Sequence, residues 1–433
     1  NRDITMAEAL DIAAANIDGR FDDQPVVEAE IRSTIGNTYL SLGRHDLAEP
    51  YFRRSLELRE AALGARHEDT MTSYNRMGRL MQRMARLDEA AEYYGRCLEM
   101  RREVLGNDAV LTISTITNLA GLNRQRGRFK EAMTLYREAV ETTERTMEPD
   151  AESRLNAMNG LAGAYKDLGR YDDAIPMYEE VLEIRQRNNS GTPHVPLAQN
   201  NFGVTLMRAG RYEAALALFT AAVAGNTELL SERHPTTLAC LANLARVYMF
   251  LERFEESEDL FDHAIRLNID VNGDDHRGTL ITMTYCAELY TRLRRFGEAE
   301  SMYLTVNTLA RDRYGERFPS TLAGADGVAK VYLFGGRPAE AEAFAREAVA
   351  GAQESYGHRA HRTGLYMQTW GRCLAAVDRQ AEAEPVLIEA YEIVQATRGP
   401  TSPDTVGVIE SLIELYEYWG KQALADDWRT RLP

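Results

Sequence analysis

Apolar residues in this chain recur at helical spacing, break at a small residue, and resume. Between Ser153 and Arg187, Leu155, Met158, Leu161, Ala162, Tyr165 and Leu168 follow the period of an amphipathic helix. Gly169 then interrupts the pattern, as a residue that tolerates the left-handed conformation at a helix end. The period returns through Ala174, Tyr178, Val181 and Ile184. This predicts two antiparallel amphipathic helices, A and B, joined by a tight turn. Ala162 and Ala174 let the two helices approach, and Tyr165 and Tyr178 fill the space around that contact.

The same arrangement returns along the whole chain. Its marker is a Gly-Arg-aromatic step, or a weakened form, followed by a short Asp/Glu/Ala stretch. The step begins at Gly43, Ala85, Gly127, Gly169, Gly210, Glu252, Arg294, Gly336, Asp378 and Gly420, with intervals of 42 residues and one of 41. Ten copies of one helical hairpin imply a solenoid in which each copy touches its neighbours. Seven residues before the step stands a small residue (Gly36, Gly78, Ala120, Ala162, Gly203, Ala245, Ala287, Ala329, Gly371). Five after it is another, from Ala48 through Ser257 to Ala425. Nine after it is a bulky ring in the first seven repeats, from Phe52 and Tyr94 to Tyr303. All three stripes are expected to be core. Repeat eight departs, with Pro338 in the turn and Ala345 at the bulky position, where Phe344 is expected to substitute.

Composition narrows the function. A chain of 433 residues suggests about three globular domains, but one continuous stack needs no domain boundary. The net charge of −16 argues against a nucleic-acid partner, because neutralising phosphates needs a basic face. No run of 18 apolar residues is present, so no membrane insertion by this chain is expected. No signal peptide is visible. The first residue is Asn, so the chain is expected to be a piece of a longer or processed protein. Cys97, Cys240, Cys286 and Cys373 lie in four different repeats without metal-ligand or redox spacing and read as buried thiols. His358 and His361 form the one close histidine pair, without a carboxylate or cysteine at ligand spacing. No phosphate-binding glycine loop, nucleophile elbow or zinc-protease helix occurs. No catalytic residue, metal or cofactor is therefore expected.

These residues resemble the tetratricopeptide repeat, in the 42-residue form of kinesin light chains. The inter-repeat loops fit that form as well: Leu63-Gly64-Ala65-Arg66-His67, Arg233-His234-Pro235-Thr236-Thr237 and Tyr314 to Thr321. In them Gly closes helix B, and Pro with Ser/Thr opens the next helix A. The resemblance covers residues 24–433 and implies an all-α fold, a right-handed α-solenoid of about ten helical hairpins. Residues 1–23 are expected to form a leading helix and linker. Leu10, Ala13, Ala14 and Ile17 share one face of a helix near Thr5 to Asp18 and would cap repeat one. A narrower resemblance joins the opening, Arg2 to Phe21, and the close, Tyr416 to Pro433, to the C-terminal repeat region of planctomycete-type bacterial serine/threonine protein kinases. It implies a catalytic kinase domain upstream.

What the first resemblance implies for function is a concave groove lined by the A helices. There, Asn and basic side chains hydrogen-bond an extended peptide. By position the candidates are Asn75, Arg76, Arg79, Arg83, Asn118, Arg124, Asn159, Lys166, Asn200, Asn201, Asn243 and Arg246. Asn is a mediocre helix former, so its return at one register calls for a reason. Its amide both donates and accepts, which suits an extended backbone, and Arg offers a planar fork to carboxylates. The alternative is that these Asn bridge adjacent A helices or cap turns. The groove is richest in Asn and Arg over repeats two to five, whereas repeat ten carries Glu410, Glu414 and Glu417. The expected function is a non-catalytic scaffold that captures a protein or peptide, acidic in character, within a larger signalling protein. A regulatory, sensor or oligomerisation region without a peptide ligand is the alternative. Tyr416, Tyr418, Trp419 and Trp428 make the last repeat aromatic, and a dimer contact or a folded-back cap could hide them.

Overall fold

A computed structural model describes residues 17, 19–21, 23–188 and 192–433. The leading helix expected near Thr5 to Asp18 therefore lies outside the described residues. Contacts divide the chain into two compact units, residues 1–161 and 162–433. The first holds α1 (Pro25–Ser41), α2 (His45–Leu63), α3 (Glu68–Arg83), α4 (Leu87–Leu105), α5 (Val110–Gln125) and α6 (Phe129–Thr146). The division falls within α7 (Glu152–Asp167). The second unit continues with α8 (Tyr171–Arg187), α9 (His194–Arg208), α10 (Tyr212–Leu230), α11 (Pro235–Phe250), α12 (Phe254–Asn272) and α13 (Arg277–Arg292). It ends with α14 (Phe296–Tyr314), α15 (Pro319–Phe334), α16 (Pro338–Tyr356), α17 (His361–Ala376), α18 (Gln380–Arg398), α19 (Pro403–Tyr418) and α20 (Gln422–Arg429). Odd-numbered helices are the A helices and even-numbered ones the B helices. The fold is an all-α solenoid of helical hairpins, without strands among the described residues.

All ten A-to-B turns share one geometry. The residue that opens each step has φ between +57° and +76°, whether it is glycine or, in four turns, Ala85, Glu252, Arg294 or Asp378. The two amides that follow the helix then satisfy its last carbonyls. In repeat one, Gly43 N donates to Leu40 O at 3.2 Å and Arg44 N to Tyr39 O at 2.9 Å. In repeat ten, Gly420 N donates to Glu417 O and Lys421 N to Tyr416 O. This is the paired closure of a Schellman motif. The non-glycine turns keep the conformation because the same two bonds and the packing on either side hold it.

The core stripes close-pack as the spacing predicts. All ten small residues five positions after the step, Ala48 to Ala425, are fully buried. The glycines opposite leave room for rings: a Cβ on Gly36 would stand 3.0 Å from Phe52, on Gly78 2.7 Å from Tyr94, and on Gly203 2.9 Å from Phe219. Two tyrosines reach further, into the next A helix. Tyr136 occupies the space a side chain at Gly160 would need, and Tyr303 that of Gly327. In repeat eight Ala345 is buried, and Phe344 packs edge-on to Tyr332 with centroids 5.8 Å apart.

Two features went unread in the sequence. The turn arginine latches neighbouring B helices. Arg295 bonds Glu298 of its own helix at 2.5 Å and Glu258 of the preceding B helix at 2.8 Å. Arg86, Arg337 and Arg379 repeat the pair with Glu89 and Glu49, Glu340 and Glu300, and Glu382 and Glu342. The guanidinium also lies over the aromatic ring five residues back, 4.4 Å from Tyr290 and 4.0 Å from Tyr332. Second, the threonines of the inter-repeat loops do more than open helix A. Thr237, Thr279, Thr321, Thr363 and Thr405 each send the hydroxyl back six residues, to the carbonyl of the left-handed residue that ends helix B, at 2.7–2.9 Å. The N-cap acceptor is instead His67, His234, His276 or Ser402.

At the carboxyl end α20 folds back on α19. Trp428 is buried, edge-on to Tyr391 at 4.7 Å, and Tyr416 is buried with it. Tyr418 alone of these rings stands well exposed, at 68%.

The latches predict an acid-sensitive stack. The turn arginines hold the carboxyls of Glu89, Glu298, Glu340 and Glu382 below the ordinary glutamate range, chiefly through the side-chain hydrogen bond. A depressed carboxyl stabilises the fold above the unfolded value and loses that stabilisation as pH falls through the folded value. The urea midpoint should hold level down to about pH 5 and fall below about pH 4.3, the unfolded glutamate value. A Glu298→Gln, Glu340→Gln, Glu382→Gln variant should show a shallower acid loss in the same titration.

Candidate functional site

The candidate residues stand on successive A helices, and they are considered unit by unit. In the N-terminal unit they stand on α3, α5 and α7. Asn118 Nδ2 donates to Asn75 Oδ1 at 3.1 Å, joining α5 to α3. Arg79 donates to Asn37 Oδ1 at 3.3 Å and Arg76 to Ser33 Oγ, joining α3 to α1. Gln82 and Gln125 add a further rung at 3.1 Å. In the C-terminal unit Asn243 Nδ2 donates to Asn200 Oδ1 at 3.0 Å, joining α11 to α9. The bridging alternative is thus realised at two places one register apart from a full repeat. Each rung uses one half of each amide. The Asn75 and Asn200 amino groups and the Asn118 and Asn243 carbonyl oxygens stay out of it, so the bridge orients the amides without exhausting them.

The cations differ sharply from those of the turns. Arg76 and Arg79 bond neutral oxygens, and neither they nor Arg83 ion-pairs with a carboxylate among the described residues. Burial, then the neighbouring Arg59, holds Arg76 below the ordinary arginine value. The α3 face therefore carries three guanidiniums outside any ion pair among the described residues, with Glu30 and Asp69 nearby, in a chain of net charge −16. Asn159 and Arg124, on α7 and α5, both have interactions of their own. So do Lys166, whose Nζ lies 3.7 Å from Asp167 Oδ1, and Asn201. Arg246 stacks over the Tyr285 ring at 4.0 Å.

A second feature of the C-terminal unit lay beyond sequence reading. The loop after α18 meets the α7–α8 turn, where buried Arg398 donates to the Asp167 carbonyl oxygen. Its other terminal nitrogen lies 2.9 Å from His361 Nε2, and its Nε 3.3 Å from Asp404 Oδ2. Burial, and then Arg398, Arg362 and Arg208, push the His361 imidazole well below the ordinary histidine value. It is neutral at pH 7 and accepts from Arg398. The close histidine pair does not converge, because His358 instead pairs with Glu389 at 2.7 Å.

No group of three His, Cys, Asp or Glu side chains among the described residues could hold a metal ion. All four cysteines are free and buried. Burial pushes the thiols up, to about 11 at Cys240 and about 12 at Cys286 and Cys373, so the nucleophilic thiolate is scarce at neutral pH. No helix of the described residues is long and apolar enough to cross a membrane.

Stacked A/B hairpins with a side-chain ladder on the A helices define a repeat protein built for interaction. A tetratricopeptide repeat model matches residues 27–103, 105–187, 195–267 and 238–312, and two more of that description match 159–228 and 329–347. The chain belongs to the tetratricopeptide repeat family. It is similar to a Rap protein solved in complex with competence and sporulation factor, at 14% identity over 92% of this chain and 99% of that one, with a TM-score of 0.50. It is also similar to the nearly identical TPR-like repeats of a putative kinesin light chain from Podosopora anserina, at 23% identity over 47% of this chain and 96% of that one, TM-score 0.40. BtubC (BKLC) from P. vanneervenii is similar at 22% identity over 52% of this chain and 91% of that one, TM-score 0.42. Comparison with curated proteins finds no match. Family and fold together make the chain a protein-interaction scaffold.

The Arg398 node predicts a coupled loss. Arg398→Met would leave Asp404 and His361 without their buried partner, and should cost about 3 kcal/mol by urea unfolding. Hydrogen exchange should rise at the α7–α8 turn as well as around residue 398.

Proposed function

We propose that the chain binds an extended, acidic peptide segment in a concave groove formed by its A helices, without catalysing a reaction. The observation that carries this reading is the α3 face. Among the described residues Arg76, Arg79 and Arg83 ion-pair with no carboxylate there, beside an Asn118–Asn75 rung that leaves an amide donor and a carbonyl acceptor. A peptide backbone takes one donor and one acceptor per residue, and its carboxylates meet the guanidiniums. The corresponding Asn243–Asn200 rung carries the same chemistry within the C-terminal unit. Of the remaining candidates, Arg124 and Asn159 flank the first patch, and Lys166, Asn201 and Arg246 the second. The similar Rap protein, solved with competence and sporulation factor, supports ligand binding by this fold. The groove is the partner-recruiting part of a larger signalling protein, such as a serine/threonine kinase.

A second reading, an oligomerisation region, is favoured by one patch. Tyr418 and Phe334, 68% and 49% exposed, border a single hollow near the carboxyl end.

Peptide capture is tested by selecting a binder from a display library of acidic peptides and titrating it against variants. Asn118→Ala removes a hydrogen bond worth about 1 kcal/mol, so it should weaken binding about fivefold. Arg79→Glu with Arg83→Glu, both exposed, should slow association and flatten its salt dependence. Equal affinity for all variants would place the ligand elsewhere. A dimer on sedimentation that Tyr418→Ser disperses, with no peptide selected, would favour the second reading.

A further inference from the structure

The node at Arg398 encloses more than a contact. Beside it, within the C-terminal unit, is a cavity of about 410 Å³, in the size range of small-molecule sites. Five cationic side chains line it, Lys166, Arg208, Arg246, Arg362 and Arg398, against only two carboxylates, Asp167 and Asp404. The carboxylates are already engaged. Asp404 lies 3.3 Å from Arg398 and 3.7 Å from His361, and Asp167 lies 3.7 Å from Lys166.

Arg208, Arg246 and Arg362 make no ion pair with any carboxylate among the described residues. Arg246 keeps a buried Nε that has no hydrogen-bond partner, and its guanidinium is positioned by the Tyr285 ring. Arg362 is positioned near the Tyr356 ring, at 5.6 Å. Like charges around one cavity repel one another, and an anion that joined all three guanidiniums would relieve that repulsion. After burial and Arg398, the same Arg362 and Arg208 help depress the His361 imidazole.

A guanidinium fork matches phosphate oxygens bidentately. Three such forks, borne by three different A helices, call for more than one phosphate group. Tyr171 and Tyr366 supply an aromatic wall beside them. We infer that this cavity binds a small-molecule polyphosphate, held by Arg208, Arg246 and Arg362. Bound there, it ties the α7–α9 end of the C-terminal unit to α17 and so stabilises that closure. This site does not rest on peptide capture by α3 and α5, and either can fail alone.

The test is calorimetric titration and thermal unfolding of the full chain with pyrophosphate, tripolyphosphate and ATP, each against sodium chloride at matched ionic strength. Binding with a raised melting temperature is expected for at least one probe. ATP binding more tightly than tripolyphosphate would identify a nucleotide as the source, and the reverse order a bare polyphosphate. Arg208→Gln with Arg362→Gln, both exposed and away from the packed core, should weaken binding at least tenfold with an unchanged circular dichroism spectrum. Arg79→Glu should leave it unchanged. No probe binding beyond the salt control, or undiminished binding by the double variant, would overturn the proposal.

Discussion

The structure depends on a left-handed residue after every A helix. That one backbone conformation turns the chain through the tight reversal that lays helix B along helix A. It also lets two amides cap the spent carbonyls, and it fixes where the next side chain points. Because the turn is the same ten times, the arginine that follows it reaches the same two carboxylates each time it has them. At Gly36, Gly78 and Gly203 the glycine seven residues before the step meets the ring nine residues after it. A change in this dihedral angle would misplace the Tyr94 ring on Gly78 and the Arg295 fork on Glu258 together.

From that constraint follows the difference between the two sets of cations. Turn arginines such as Arg86 and Arg295 are consumed by acidic partners on the B helices, and hold repeats in sequence. Among the described residues some A-helix arginines also pair, Arg32 with Glu28 and Arg372 with Glu414, and others do not. Arg76 and Arg79 bond neutral oxygens, and Arg208 and Arg246 ion-pair with no carboxylate among the described residues. An acidic chain has carboxylates in excess, so leaving these arginines out of ion pairs is a feature of placement rather than of composition. Exposed single ion pairs contribute little; a patch of uncompensated charge has larger consequences for which ligands approach.

Much of this was legible in the sequence. The 42-residue step located every turn, including those at Glu252 and Arg294 where glycine is absent, because the spacing persists when the residue type decays. The buried stripes followed from the same register. The Asn75–Asn118 and Asn200–Asn243 rungs were present as an alternative, and a separation of one repeat plus one residue could have singled them out. Other features were not legible. The partner of Arg295 is 37 residues back, on a helix face that charge counting reads as solvated. The Arg398–Asp167 contact joins residues 231 apart, and no local pattern announces it. It arises from how repeats accumulate, which depends on small rotations between hairpins that no single repeat encodes.

The central claim is that the A-helix faces take the ligand while the B helices and turns hold the stack. Hydrogen exchange of the full chain, with and without a selected acidic peptide, tests it most directly. Protection gained on α3 and α5, with the latched turns at Arg86 and Arg295 unchanged, is the predicted result. Protection confined to the B helices or the inter-repeat loops would contradict the account.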